Sequence, residues 1–237
     1  RPERWQHPIR IGIATMPSID AVVAVAIAYL IGSIPTAYLV GKYFGDADLT
    51  EVGSKNMGAS HAYSQLGSRW AGFVVTVDVL IKGSLPVFIA SDAVFGLGLG
   101  VQVAVGIASV VGHDWSIFLR FRGGRGIATT EGAILILSLP LAFAYPAIPA
   151  LAVLVSPKRD SAVWWLIATL AVPVWVLLLD LPDEFLWFSI ALIVVTLLKR
   201  MTSNSLRDDR GSISARLLWN RLVFDRDIKS RSAWVEQ

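Results

Sequence analysis

The sequence predicts an all-α integral membrane protein with about seven transmembrane helices, its N-terminus outside and its C-terminus in the cytoplasm. Three observations carry this expectation. Mean hydropathy is +0.60. Only 16 % of the 237 residues are charged, well below the roughly 25 % of soluble domains. Several apolar windows reach the roughly 20 residues that a helix needs to cross a hydrocarbon layer.

In chain order the apolar stretches are Ile19–Phe44, Trp70–Ala90, Val94–Trp115, Ile127–Val155, Ala162–Leu181 and Phe185–Leu198. The fourth is long enough for one tilted helix, but Pro140, Pro146 and Pro149 lie in its middle. Each proline removes a backbone hydrogen bond, so two short helices turning near Pro140 compete with a single span. Basic residues arbitrate, because loops rich in Lys and Arg stay in the cytoplasm. With a turn near Pro140, the groups Lys42/Lys55/Arg69, Arg120/Arg122/Arg125, Lys158/Arg159 and the tail from Lys199 all fall on one side. The opposite connections, Ala90–Val94, Leu139–Leu141 and Asp180–Phe185, carry no Lys or Arg. A single helix would strand Lys158 and Arg159 outside, so seven spans is the consistent count. Arg1, Arg4 and Arg10 do not fit this pattern. The stretch around Met16 reads as a natural start, which makes 1–18 an N-terminal extension, 19–200 the membrane domain and 201–237 a basic cytoplasmic tail.

In that tail Ile213, Leu217, Leu218, Phe224 and Ile228 fall near one helical stripe, with Arg216, Arg221 and Arg226 elsewhere. Such a pattern suits an amphipathic helix lying on an anionic leaflet; a solvated, partly disordered tail is the alternative. The chain has no cysteine, which excludes disulfides, thiolate metal sites and a cysteine nucleophile. Its three histidines, His7, His61 and His113, are too scattered to suggest a zinc cluster.

Two segments on the basic side concentrate glycine, hydroxyls and amides: Glu51–Gly67 (EVGSKNMGASHAYSQLG) and Val111–Gly132 (VGHDWSIFLRFRGGRGIATTEG). Glycine lets backbone amides wrap an anion, and a helix N-terminus just beyond adds partial positive charge. Gly123, Gly124 and Gly126 would shape such a loop, and Arg122 and Arg125 would supply guanidinium forks suited to phosphate. The same glycines would also serve a tight turn between spans, and Ser54 or Asn56 a helix cap. Two such loops on one face weigh toward a site. Asp78 and Lys82, four residues apart in the second stretch, can pair on one helix face and so lower the cost of charge at depth; that pairing is either structural or functional.

The stretches Leu30–Lys42 (LIGSIPTAYLVGK), Val52–Gly67, Val77–Pro86 (VDVLIKGSLP) and Gly112–Thr129 (GHDWSIFLRFRGGRGIAT) stand in an order and spacing that resembles the bacterial acyl-phosphate-dependent glycerol-3-phosphate acyltransferases of the PlsY family. The resemblance runs from about Ile19 to about Arg207. It implies transfer of a fatty acyl group from acyl phosphate to the 1-hydroxyl of glycerol 3-phosphate, giving lysophosphatidate for phospholipid synthesis. It implies a monomer in the bacterial inner membrane with its active site facing the cytoplasm, and no metal, cofactor, acyl-CoA or nucleic acid. Carried over residue by residue, Ser54, Asn56, His61 and Asn204 are the expected catalytic residues. Gly53, Lys55, Gly58, His113, Arg122, Gly123, Gly124, Arg125 and Gly126 are expected at the phosphates, with Asp78 and Lys82 as an intramembrane pair.

The chain departs from the family's pattern at several points. Lys55 stands for a glycine, Ser60 and His61 for a Thr-Asn pair, Ser64 for an arginine, Arg125 for a lysine, Ser116 for a proline, and Met201 and Ser203 for a histidine and a glutamate. The lysine after the intramembrane aspartate comes one residue late, at Lys82, which on an α-helix rotates it by about 100°. Two other readings remain open: a paralogue with altered or lost catalysis that binds a phosphorylated lipid precursor or a partner, and a small transporter, which would show a polar path at the midplane.

Overall fold

The computed structural model describes residues 18–45, 58–155, 160–202 and 214–228. Among these residues the chain is helical and has no strand; its only bridge joins Ser116 to Arg122. Helix α1 (Ile19–Ser33) is capped by Ser18, whose hydroxyl accepts from the Ala21 amide at 3.2 Å. Pro35, which has no N–H to donate, separates it from α2 (Thr36–Phe44), and the two form one apolar segment of 26 residues. Then come α3 (Ala59–Leu66) and α4 (Ser68–Val77), joined at Gly67 with φ 85°. A π-helical turn, Asp78–Ser84, continues α4 into α5 (Leu85–Ala90). Next are α6 (Leu99–Asp114), a 3-10 turn at Ile117–Leu119, α7 (Ile127–Leu137) and α8 (Leu139–Val155). The rest is α9 (Ser161–Leu178), α10 (Asp183–Thr202) and α11 (Ala215–Phe224).

Four segments are long and apolar enough to cross a membrane: Ile19–Phe44, Ser68–Ala90, Ser161–Leu178 and Asp183–Thr202. Three shorter apolar helices, α6, α7 and α8, accompany them. The fourth apolar stretch is divided as expected, at Ser138, whose extended backbone (φ −160°, ψ 107°) ends α7 two residues before Pro140. Pro146 and Pro149 do not interrupt α8, which runs through both. Many large apolar side chains point outward, among them Leu154, Leu177 and Trp187. Hydrocarbon is the solvent that makes this arrangement favourable.

Small residues let the helices approach closely, as membrane bundles require. At Gly32 of α1 a Cβ would overlap the Ser109 carbonyl of α6, and at Gly112 of α6 it would overlap the Tyr29 carbonyl of α1. A second crossing sets Gly83 of the π-turn against Gly132 of α7, where a Cβ would strike the Thr129 and Val79 carbonyls respectively. The Ser84 hydroxyl donates to the Gly132 carbonyl at 2.9 Å across the same crossing. The main apolar core lies where α6 to α10 meet, around Val110, Ile134, Leu141, Val172, Phe188 and Leu192. These contacts fix the ends of α6, α7 and α10 relative to one another, and that end is where the polar residues collect.

The tail does form a helix, but its buried face is not the apolar stripe that the spacing suggested. Leu217, Asn220 and Arg221 are buried, whereas Trp219 is exposed. Arg221, expected on the polar side, is 1 % exposed. Its Nε and Nη2 donate to Asp227 at 2.6 and 3.1 Å, and its Nη1 donates to the Met201 carbonyl at 3.2 Å. Arg200 of α10 returns the contact by donating to the Leu222 carbonyl at 2.8 Å and to the Ala162 carbonyl of α9 at 2.6 Å. Periodicity could not anticipate this, because charged side chains count as outward in any hydrophobic pattern. Here the C-terminal carbonyls of α10 and α11, which need donors, draw the arginines in.

Candidate active site

The glycine loop is laid over the C-terminal end of α6. Gly124 donates its amide to the His113 carbonyl at 3.1 Å. A Cβ on Gly123 would strike the His113 and Asp114 carbonyls, and one on Gly124 would strike His113 Nε2. Gly126, at φ 66°, caps α7, and a Cβ there would come to 3.0 Å from an Asp114 carboxylate oxygen. Glycine is therefore required at Gly123 and Gly124 by contact and at Gly126 by backbone conformation as well. Asp114 lies buried beside the cap of α7, so an internal carboxylate already shares the positive end of that helix.

His113 links this loop to the intramembrane pair. Lys82 Nζ lies 2.7 Å from Asp78 Oδ1 and donates to His113 Nδ1 at 3.4 Å, with all three side chains buried. Asp78 Oδ2 is 3.8 Å from the same Nδ1. When the Lys82 ammonium donates to Nδ1, the imidazole proton sits on Nε2, the nitrogen that faces Gly124. In that tautomer His113 presents a donor, not a base, toward the loop. The late position of Lys82 is accommodated by the π-helical turn, which carries one more residue per turn than an α-helix. Such turns recur at functional sites.

Two cavities open around these groups. One of about 300 Å³ is lined by Gly58, Asp78, His113, Arg125, Gly126 and Glu131, among others. One of about 130 Å³ is lined by Arg125, Thr130, Tyr145, Lys199, Arg200 and Asp225, among others. Arg125, Ile127 and Trp165 belong to both. Lys199 crosses from α10 to donate to the Asp114 carbonyl and also stands over the Trp115 ring. Glu131 turns toward the larger cavity, with Oε2 buried and without a hydrogen bond.

The structure therefore brings together Gly58, Asp78, Lys82, His113, Gly123, Gly124, Arg125 and Gly126. It does not bring in two others. His61 is buried on α3 and does not line the cavity, and Arg122 is exposed, its backbone taken by the bridge to Ser116. The cause is local: α3 turns His61 inward, and the bridge points Arg122 away from the loop. Gly53, Ser54, Lys55, Asn56 and Asn204 lie outside the described residues. Sequence reasoning missed Lys199, Arg200, Glu131 and Asp225. For the first three a signal existed, since each is an ionisable residue in an otherwise apolar helix. Among the described residues no group of three His, Asp or Glu could hold a metal ion.

Fold and cleft together define a helical membrane protein with two adjoining polar recesses that share Arg125, the smaller one also lined by Lys199 and Arg200, beside an apolar bundle. A family profile described as glycerol-3-phosphate acyltransferase matches residues 22–207, and the chain belongs to that family. It is 30 % identical over 237 aligned residues to glycerol-3-phosphate acyltransferase 5 of Dehalococcoides mccartyi, covering 94 % of this chain and 95 % of that protein. Glycerol-3-phosphate acyltransferase 2 of Moorella thermoacetica is 44 % identical over 141 residues, covering 58 % of this chain and 69 % of that one. Among solved structures, the glycerol 3-phosphate form of PlsY, an integral membrane glycerol 3-phosphate acyltransferase, superposes with a TM-score of 0.69 at 30 % identity, covering 76 % of this chain and 88 % of that chain. The lysophosphatidic acid form gives a TM-score of 0.69 at 25 % identity, covering 92 % and 98 %.

Proposed function

We propose that this chain transfers an acyl group from acyl phosphate to the 1-hydroxyl of glycerol 3-phosphate, releasing lysophosphatidate and inorganic phosphate. The observation that supports this most directly is the cavity of about 300 Å³ where Gly58, Asp78, His113, Arg125 and the start of α7 converge. In the reaction the hydroxyl oxygen attacks the acyl carbonyl carbon, a C–O bond forms, and the bond from that carbon to the phosphate oxygen breaks. The hydroxyl proton leaves with the phosphate, so a dedicated strong base is not needed. The protein's work is to position the hydroxyl and to neutralise charge on the departing phosphate. Arg125 supplies the guanidinium, His113 Nε2–H a neutral donor, and Gly123, Gly124 and Gly126 the room for backbone approach. In this reading Ser54, Asn56 and Asn204 take part in the chemistry, and Gly53, Lys55 and Gly58 act at the phosphates. Purified protein should form lysophosphatidate from palmitoyl phosphate and radiolabelled glycerol 3-phosphate, and none from palmitoyl-CoA. Product from the thioester alone, or no product from a folded protein that binds glycerol 3-phosphate, would overturn it.

The same reading includes a monomer in the inner membrane with seven spans, N-terminus outside, and the site and tail in the cytoplasm. Residues 1–18 are then an extension, 19–200 the catalytic membrane domain and 201–237 a tail. With that count, the Lys and Arg of the connecting loops and the tail from Lys199 fall on one side, Arg1, Arg4 and Arg10 excepted, which supports it. The absence of native cysteine makes the orientation simple to measure. Ser91→Cys should react with an impermeant maleimide in intact cells, and Arg69→Cys only after the membrane is opened. The reverse pattern would invert the topology.

A further inference from the structure

We propose that Asp225 is a positioning residue for the phosphate site, supplied by a segment that follows the region matched by the family profile. It rests on the reading of Arg125 as a phosphate ligand. The family profile ends at 207, and α11 with the turn after it follows that point. Asp225 Oδ2 accepts from Arg125 Nε at 2.5 Å, with the two side chains only 13 % and 16 % exposed. Arg125 sits between Gly124 and Gly126, neighbours that do little to hold a long side chain in place. A carboxylate on the Nε edge fixes the plane of the guanidinium and directs its Nη fork, the edge that can take phosphate bidentately.

The carboxylate is itself held firmly. Asp225 has φ 58°, a left-handed conformation uncommon for a residue other than glycine, and ends α11. Three anchors clamp the backbone around it. Arg200 donates to the carbonyls of Leu222 and Val223, Arg221 donates to the Met201 carbonyl and Asp227, and Arg226 pairs with Asp160. Asp225 also lines the smaller cavity beside Lys199 and Arg200, so the tail closes a wall of the recess that Arg125 shares with the larger one.

Charge and positioning predict opposite signs, which makes the inference testable. Removing a carboxylate beside Arg125, Lys199 and Arg200 raises the positive potential, so electrostatics alone would tighten anion binding. Loss of orientation should weaken it. In full-length protein in detergent, Asp225→Asn is expected to weaken binding of radiolabelled glycerol 3-phosphate, and to raise its KM, on the order of tenfold, the scale of losing a residue that orients a ligand-binding group. kcat should change less. Asp225→Glu should restore part of the affinity. Asp160→Asn keeps an acceptor for the Ala162 amide but breaks one of the three anchors while leaving the carboxylate of Asp225 in place, and should weaken binding by less than Asp225→Asn does. In an Arg125→Lys background, which has no Nε, Asp225→Asn should have no further effect. Unchanged or tighter binding in Asp225→Asn overturns the inference, and so does an equal loss in Asp160→Asn, which would mean that the tail only stabilises the fold. If the wild type neither binds glycerol 3-phosphate nor turns it over, the proposed function falls as well. If it does both while Asp225→Asn behaves normally, only the positioning role falls.

Discussion

Asp78→Asn should destabilise the protein by about 3–5 kcal/mol, because it leaves the Lys82 ammonium buried without its counter-charge. Asp78 and Lys82 are 2.7 Å apart, each about 3 % exposed, in a segment long and apolar enough to cross a membrane. Thermal unfolding in detergent reads the loss. That result alone would not separate a structural pair from a functional one, so the decisive variant removes both charges. Asp78→Leu with Lys82→Leu deletes the ion pair together with its desolvation cost, and buried pairs replaced in this way are often neutral or stabilising. The double variant should melt near the wild type. Its kcat/KM should nevertheless fall by at least about a hundredfold, roughly the worth of one preorganised donor at developing charge, because Lys82 sets the donor state of His113 at 3.4 Å. A stable double variant with full activity would show that the pair only holds the helices.

Gly124→Ala is the second change with a large expected effect. The new methyl would occupy the place of His113 Nε2, so either the ring swings away from Lys82 or the loop lifts off the end of α6. In both cases the phosphate donors lose register while the chemistry of the acyl phosphate is untouched. KM for glycerol 3-phosphate should rise on the order of tenfold or more, with a smaller fall in kcat, the mark of lost binding energy rather than lost transition-state contact. Equal losses in KM and kcat, with an intact fold, would make the loop a structural turn.

Much of this was legible in the chain. Apolar length and the one-sided distribution of Lys and Arg gave the helical segments and the division at Ser138, since both follow from local composition. The glycine loop, His113 and the Asp78–Lys82 pair were visible because glycine and buried charge are rare in an apolar sequence unless something requires them. What escaped depends on long-range contact. Arg221 is buried because it meets the Met201 carbonyl 20 residues away, and Asp225 meets Arg125 across 100 residues. No local pattern encodes either. The late lysine misled for a different reason: an ideal α-helix was assumed, and the backbone is π-helical at that point. His61 was assigned by its place in a motif, whereas helix α3 decides which way it faces.

The π-helical turn at Asp78–Ser84 has one more consequence. An extra residue in an ordinary helix would turn everything after it by a quarter of a revolution and unseat Val87 and Ala90 of α5 from their packing. A wide turn confines the insertion to itself. The packing of α5 downstream is therefore insulated from changes upstream, and ancestry can add or drop a residue beside the buried aspartate, adjusting the reach of Lys82, without redrawing the rest of the molecule.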